Sequence, residues 1–176
     1  GRIVDGANAG DLLAKLDPGT SVEEVKLGNF AVVEGRKHLY FCLVADVRYQ
    51  ALHPRFLVEA GEAEGLLRDV LWGTAVYSVA ALRPSLELDL EAGEVRQART
   101  LPEHGSPVRA AAEEDIFRIF GAPSATRFAV GRPLELDVPV CVDLARLVQR
   151  SAGVFGMSGT GKTFLTRLLL AGLVRS

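Results

Sequence analysis

The chain has 176 residues, 48% hydrophobic and 24% charged, with 18 glycines and 8 prolines, which excludes collagen-like, low-complexity and disordered classes. A formal net charge of −2 gives no sequence-wide basic character, so any DNA contact would have to come from a local patch. The longest uncharged apolar run, Leu168 to Val174, is far short of the roughly 20 residues that span a bilayer, and no signal-peptide pattern opens the chain. Cys42 and Cys141 both lie in apolar runs and fit buried thiols in a reducing compartment. The composition therefore points to a soluble cytoplasmic protein without a membrane partner.

In chain order, the runs Val25–Val33 and Leu39–Arg48 are rich in β-branched and aromatic residues and predict strands, with a turn at Glu34-Gly35-Arg36. Leu66, Leu67, Val70 and Leu71 fall at helical spacing and predict a helix over 63–71. Thr74–Leu82 predicts a further strand, closed by a turn at Arg83-Pro84. Ser85 to Glu91 then alternates, with leucines on one face and acids on the other, before a turn at Ala92-Gly93. Pro102, Gly105 and Pro107 mark 96–108 as a long loop. Ala110–Phe120 predicts a helix, with Glu113, Glu114 and Asp115 as an exposed acidic start and Gly121 as the stop. Alternation returns from Leu134 through Val142, interrupted at Pro139, and gives way to a helical turn over Asp143–Val148.

Gly156-Met157-Ser158-Gly159-Thr160-Gly161-Lys162-Thr163 matches G-x-x-x-x-G-K-[ST], the phosphate-binding loop of nucleoside triphosphatases. Glycines let the backbone approach phosphate without a Cβ clash, and the loop N–H groups converge on it as an anion-binding nest. The helix starting there adds its positive end. Lys162 would place its charge on the β- and γ-phosphates of ATP, and Thr163 would offer its hydroxyl oxygen to Mg²⁺. Ala152-Gly153-Val154-Phe155 predicts a strand feeding the loop. Phe164, Leu165, Leu168, Leu169 and Leu173 predict the helix that follows. At ordinary residue frequencies one window matches this pattern by chance at about 4 × 10⁻⁵. The loop ends only thirteen residues before Ser176, and the sole methionine is Met157, so the chain is expected to be part of a longer protein.

Elsewhere the residues favour structural roles. His38, His53 and His104 show no metal-ligand spacing with one another or with the cysteines. Trp72 fits core packing better than a ligand platform. Arg2, Arg36, Lys37, Arg48 and Arg55 are scattered, as expected of a solvated surface.

Taken together, the strand-rich first part, Gly73–Val79, Gly105–Ala111, Val138–Leu144 and the Gly153–Thr163 segment resemble the HerA-type DNA translocases of the HerA–FtsK ATPases. The resemblance spans nearly the whole chain, and the phosphate loop is its most specific motif. It implies a mainly β fold: a small N-terminal β-barrel similar to that of the ATP synthase catalytic subunits, with one or two helices. The first strand, phosphate loop and helix of a RecA-like α/β domain would follow. Residues 1–142 would be an interaction barrel and 143–176 the start of the motor. Such proteins are hexameric rings that use ATP and Mg²⁺ to move on double-stranded DNA, with a NurA-type nuclease facing the barrel in DNA-end resection. The Mg²⁺-holding acid, arginine finger and pore loops would lie beyond Ser176. The chain alone is then expected to show no turnover and little or no stabilisation by Mg-ATP. Two other readings are a rotary or secretion-type ATPase, and a protein-interaction module whose loop holds no nucleotide.

Overall fold

The computed structural model describes residues 1–7, 10–124, 126–133, 136–149 and 151–175. They form two compact units, Gly1–Ala111 and Ala112–Ser176.

The first unit is a curled, half-barrel antiparallel sheet, so the mainly β expectation holds. Its strands are β1 (Arg2–Gly6), β2 (Leu12–Lys15), β3 (Phe30–Glu34), β4 (His38–Ala51), β5 (Val76–Asp89), β6 (Val95–Gln97) and β7 (Val108–Ala110). The spatial order is β1-β2-β5-β4-β3-β7, with β6 added on β5. Backbone bonds tie β1 to the segment entering β7: Ile3 N–H donates to Ser106 at 3.0 Å, Gly105 to Ile3 at 2.8 Å and Val108 to Gly1 at 2.9 Å. The core of this unit includes Leu12, Ala14, Val33, Tyr40, Cys42 and Leu82. Each large apolar side chain removed from water there contributes roughly 1.5–3 kcal/mol.

The paired strands β4 and β5 are each fourteen residues long. Their ladder is interrupted twice. Phe41 faces Leu86 while Cys42 faces Pro84, which leaves Ser85 as an extra residue on β5. Val44 faces Leu82 while Asp46 faces Ala81, which leaves Ala45 extra on β4. Bulges raise local twist, and here they let two long strands curl instead of lying flat. The predicted turn at Arg83-Pro84 is therefore replaced by continuous strand. Pro84 has no N–H to donate, and it sits at the irregularity where a ladder bond is already lost.

Between β4 and β5 lie two helices, α1 (Pro54–Glu62) and α2 (Gly65–Thr74), where the sequence predicted one. Pro54 occupies the first position of α1, and His53 Nδ1 accepts the Arg55 N–H at 3.3 Å. Their outer surface carries exposed Leu57, Val58, Leu66, Leu67 and Val70.

The alternation at Ser85–Glu91 predicts every acid on a solvent face, yet Glu87 is fully buried. Arg96, its cross-strand partner on β6, places Nε 2.6 Å from Oε1. Thr100 donates its hydroxyl to Oε2 at 2.7 Å, and the N–H groups of Arg99 and Thr100 reach the same oxygen at 3.3 Å. Tyr40 completes the chain through its hydroxyl, 2.9 Å from Thr100 Oγ1. Burial pushes the Glu87 carboxyl up, but the bonds from Thr100, Arg96 and Arg99 outweigh it and hold the pKa at about 2. The first half of the predicted 96–108 loop is thus pinned by one carboxylate.

The second unit contains α3 (Glu113–Phe120), β8 (Arg127–Gly131), β9 (Val140–Asp143), α4 (Leu144–Val148) and α5 (Lys162–Arg175). The α3 helix stops at Gly121, whose φ of 73° suits glycine and whose N–H closes on Phe117. Of the acidic start, Asp115 is buried and not exposed as expected. Its Oδ2 accepts the Ala112 N–H at 2.8 Å, which satisfies a donor at the helix entry. β9 begins directly after Pro139 and pairs antiparallel with β8. Asp143 caps α4 by accepting the Arg146 N–H at 3.0 Å. The change from strand to helix at Asp143 and Leu144 thus falls inside this second unit. Part of the predicted strand, Leu134 and Glu135, lies outside the described residues.

Because the folded pKa of Glu87 is depressed, its contribution is complete above about pH 4.5 and disappears as pH falls toward 2. Glu87→Gln is expected to lower stability at pH 7 by about 2–3 kcal/mol. Denaturant titrations should show that gap closing between pH 5 and pH 2.

Candidate functional site

The glycine-rich segment occupies the turn between an extended lead and the N-terminus of α5. Gly159 and Gly161 have φ of 83° and 85°, a left-handed backbone in which a Cβ is strained. They fold the chain back so that Lys162 opens the helix, with Thr163 at its second position. Gly161 also accepts the Leu165 N–H at 3.0 Å as the first helical turn closes. The first N–H groups of any helix lack intrahelical partners, and here they lie beside an exposed loop.

Met157 closes the loop from the other side. Its carbonyl accepts the Thr160 hydroxyl at 2.8 Å, the Thr160 N–H at 3.4 Å and the Lys162 ammonium. Ser158 and Thr163 are exposed, and Thr166 donates its hydroxyl to Lys162 O at 2.9 Å. All eight predicted residues, Gly156 through Thr163, therefore meet in one solvent-facing turn. The donor set fits a phosphate: backbone N–H groups at a helix start, a lysine ammonium and a hydroxyl. For Mg²⁺ the turn supplies hydroxyl oxygens, Thr163 among them, and no carboxylate. Among the described residues no group of three or more His, Cys, Asp or Glu side chains could hold a metal ion.

The support beneath the loop is one-sided. Helix α5 packs on β8 and α4 through Gly172, where an added Cβ would lie 2.9 Å from the Phe128 ring and 3.1 Å from a Leu144 methyl. Phe164, Leu170 and Val174 are exposed. The predicted strand at Ala152–Phe155 forms no ladder, and Phe155 is 93% exposed. A buried strand of an α/β sheet needs neighbours on both sides, whereas the described sheet of this unit contains only β8 and β9.

The remaining candidates stand apart from the loop in the sequence. His38 contacts Arg96 at 3.1 Å and Asp89 at 3.5 Å, and His53 caps α1. Cys42 is free and buried, its thiol pushed up to about 12 by burial, and Cys141 is likewise buried and raised. Trp72 is half-buried, edge-on to Tyr49 at 5.3 Å, and its indole N–H has no partner. Both rings line a cleft of about 470 Å³ that sequence reasoning did not find.

Fold and loop together define a half-barrel unit followed by a unit bearing a glycine-rich, phosphate-type turn. Residues 128–176 match the family described as Helicase HerA, central domain, which supports an ATP-binding ATPase of the HerA/FtsK type. The chain is also similar to the CCA-adding enzymes of Bordetella pertussis and Bordetella bronchiseptica. Each is 32% identical over 117 residues, covering 60% of this chain and 32% of the relative. The chain thus spans about a third of the length of these curated relatives. No helix among the described residues is long and apolar enough to cross a membrane.

Gly172→Leu would drive a side chain into Phe128 and Leu144, an overpacking worth roughly 1–3 kcal/mol. Hydrogen exchange should show α5 and the Gly156–Thr163 turn losing protection while the half-barrel keeps its own.

Proposed function

We propose that this chain is the N-terminal part of an ATP-driven, hexameric double-stranded DNA translocase of the HerA type. On this reading it acts in the cytoplasm with a nuclease partner in DNA-end resection and repair. The observation that carries the reading is the Gly156–Thr163 turn at the start of α5, inside the segment that matches the HerA central domain. Residues 1–142 serve as the docking and oligomerisation part, a barrel in the complete assembly. Residues 143–176 begin the motor.

Within the motor, the backbone N–H groups of the turn and of the first α5 residues hold the phosphates. Glycine at 159 and 161 keeps those groups in reach. Lys162, whose ammonium has three N–H donors and spends one on the Met157 carbonyl, sets its compact charge against the β- and γ-phosphates. Thr163 would offer its hydroxyl oxygen to Mg²⁺. Bound ATP supplies the phosphoryl group whose transfer drives movement. The exposed Phe155, Phe164 and Val174 are the faces that further strands and helices of a RecA-like domain would cover. The CCA-adding relatives share too little of their length with this chain to carry a whole-protein activity across.

The test is ATP hydrolysis by the full-length protein with and without linear duplex DNA, alongside Lys162→Ala. Duplex-stimulated turnover that drops at least 100-fold in the variant is expected, as for loss of a principal phosphate contact. Lys162-dependent hydrolysis indifferent to DNA would sink the translocase reading in favour of a rotary or secretion-type ATPase.

A further inference from the structure

We propose that the cleft beside Trp72 is a docking groove for a proline-rich segment of a partner protein, in the polyproline II conformation and flanked by a basic residue. The inference is independent of the nucleotide loop, since every residue it uses lies in the first unit. The start of β5 builds the cleft. Cross-strand pairing sets Tyr49 of β4 opposite Ser78, and a bridge sets Trp72 of α2 beside Val76. The Leu16 N–H donates to the Ser78 carbonyl at 2.9 Å, which brings the chain after β2 to the same place. Rings from a strand and a helix thus meet over a space of about 470 Å³.

Ring geometry selects the ligand. Tyr49 and Trp72 stand at 82° to each other with centroids 5.3 Å apart, so they form a corner and not a slot. A flat base can stack on one wall of a corner only, whereas the compact, puckered ring of proline packs against both. The third ring of the cleft, Tyr77, already carries a cation, with Lys15 Nζ 4.5 Å from its centroid. An organic cation would have to compete there with the chain's own ammonium.

Hydrogen bonding points the same way. Trp72 Nε1 is shut off from solvent and has no acceptor among the described residues. Buried donors are nearly always paired, and a proline-rich segment offers what this one lacks. In polyproline II the carbonyls make no internal bonds and stand outward, and proline brings no N–H of its own. Tyr49, 55% exposed, is the ring able to swing aside and admit such a carbonyl to the indole. Glu23, exposed on the rim, meets the basic flank. A segment already held in this conformation loses little freedom on docking.

The test titrates this chain with three peptides of equal length: polyproline ending in arginine, uncharged polyproline, and a glycine–serine peptide ending in arginine. The emission of Trp72, the single tryptophan, reports binding. Both proline peptides are expected to saturate, the arginine form at lower concentration, and the glycine–serine peptide to leave the emission unchanged. Trp72→Phe keeps a ring and removes the donor, and calorimetry should show both proline peptides about fivefold weaker. Glu23→Gln should weaken only the arginine form, by a factor that shrinks as salt is added. No saturable binding of either proline peptide, or equal binding of the glycine–serine peptide, would overturn the proposal, and these wild-type titrations decide it even where a variant fails to fold. A folded Trp72→Phe chain that binds as tightly as the wild type would overturn it too. So would an oligonucleotide or tetramethylammonium that shifts Trp72 emission where the proline peptides do not.

Discussion

The pairing of β4 with β5 organises the first unit. Both strands run for fourteen residues, longer than a small core needs, and each bends where a single extra residue breaks the ladder. On this ribbon β2 and β6 pair with β5 and β3 pairs with β4, while β1 and β7 attach one strand further out, to β2 and β3. The near half of β4, from Leu39 to Cys42, is buried on both faces, whereas Arg48 to Gln50 are exposed. One continuous strand thus serves as core at one end and as a projecting support for α1 and α2 at the other.

Glu87 shows how the same ribbon fixes a segment with little regular structure. Its carboxylate is taken from water at a price that only four convergent donors can offset. Those donors come from β6 and the residues just after it. A stretch without helix or strand periodicity therefore follows a defined path, because its polar groups are the ones a buried anion requires. Downstream, Gly105 bonds to Ile3 of β1 and Val108 to Gly1 just before it, so both ends of the stretch are tied to the sheet.

Much of this was legible in the residues. The Gly35 and Gly93 turns and the stop at Gly121 were read from local chemistry, and the structure places them there. The strand and helix misreadings have physical causes. Pro84 looked like a terminator because local rules cannot see that it faces Cys42 at a bulge. Glu87 looked like a surface acid because alternation records only which face a residue takes, and its carboxylate there is met by the Arg96 side chain of the neighbouring strand and by Arg99 and Thr100 just after it. Helix α1 was missed although His53-Pro54 is a recognisable start, since its large apolar residues, Phe56, Leu57 and Val58, are consecutive and not at helical spacing. The glycine-rich turn was legible because its geometry depends on residue types more than on distant packing. What packs against α5 was not, because that depends on Gly172 meeting Phe128, a contact between positions far apart in sequence.

The distribution of aromatic side chains gives the molecule a built-in division of signals. The single tryptophan, Trp72, and all three tyrosines, Tyr40, Tyr49 and Tyr77, belong to the first unit, while the second holds only phenylalanines among its aromatic rings. Indole fluorescence, with Tyr49 5.3 Å away as an energy donor, therefore watches the half-barrel alone. The loop-bearing unit is optically silent at those wavelengths. A tryptophan introduced near α5 would give it a separate voice, and the melting of the two units could then be followed independently in one sample.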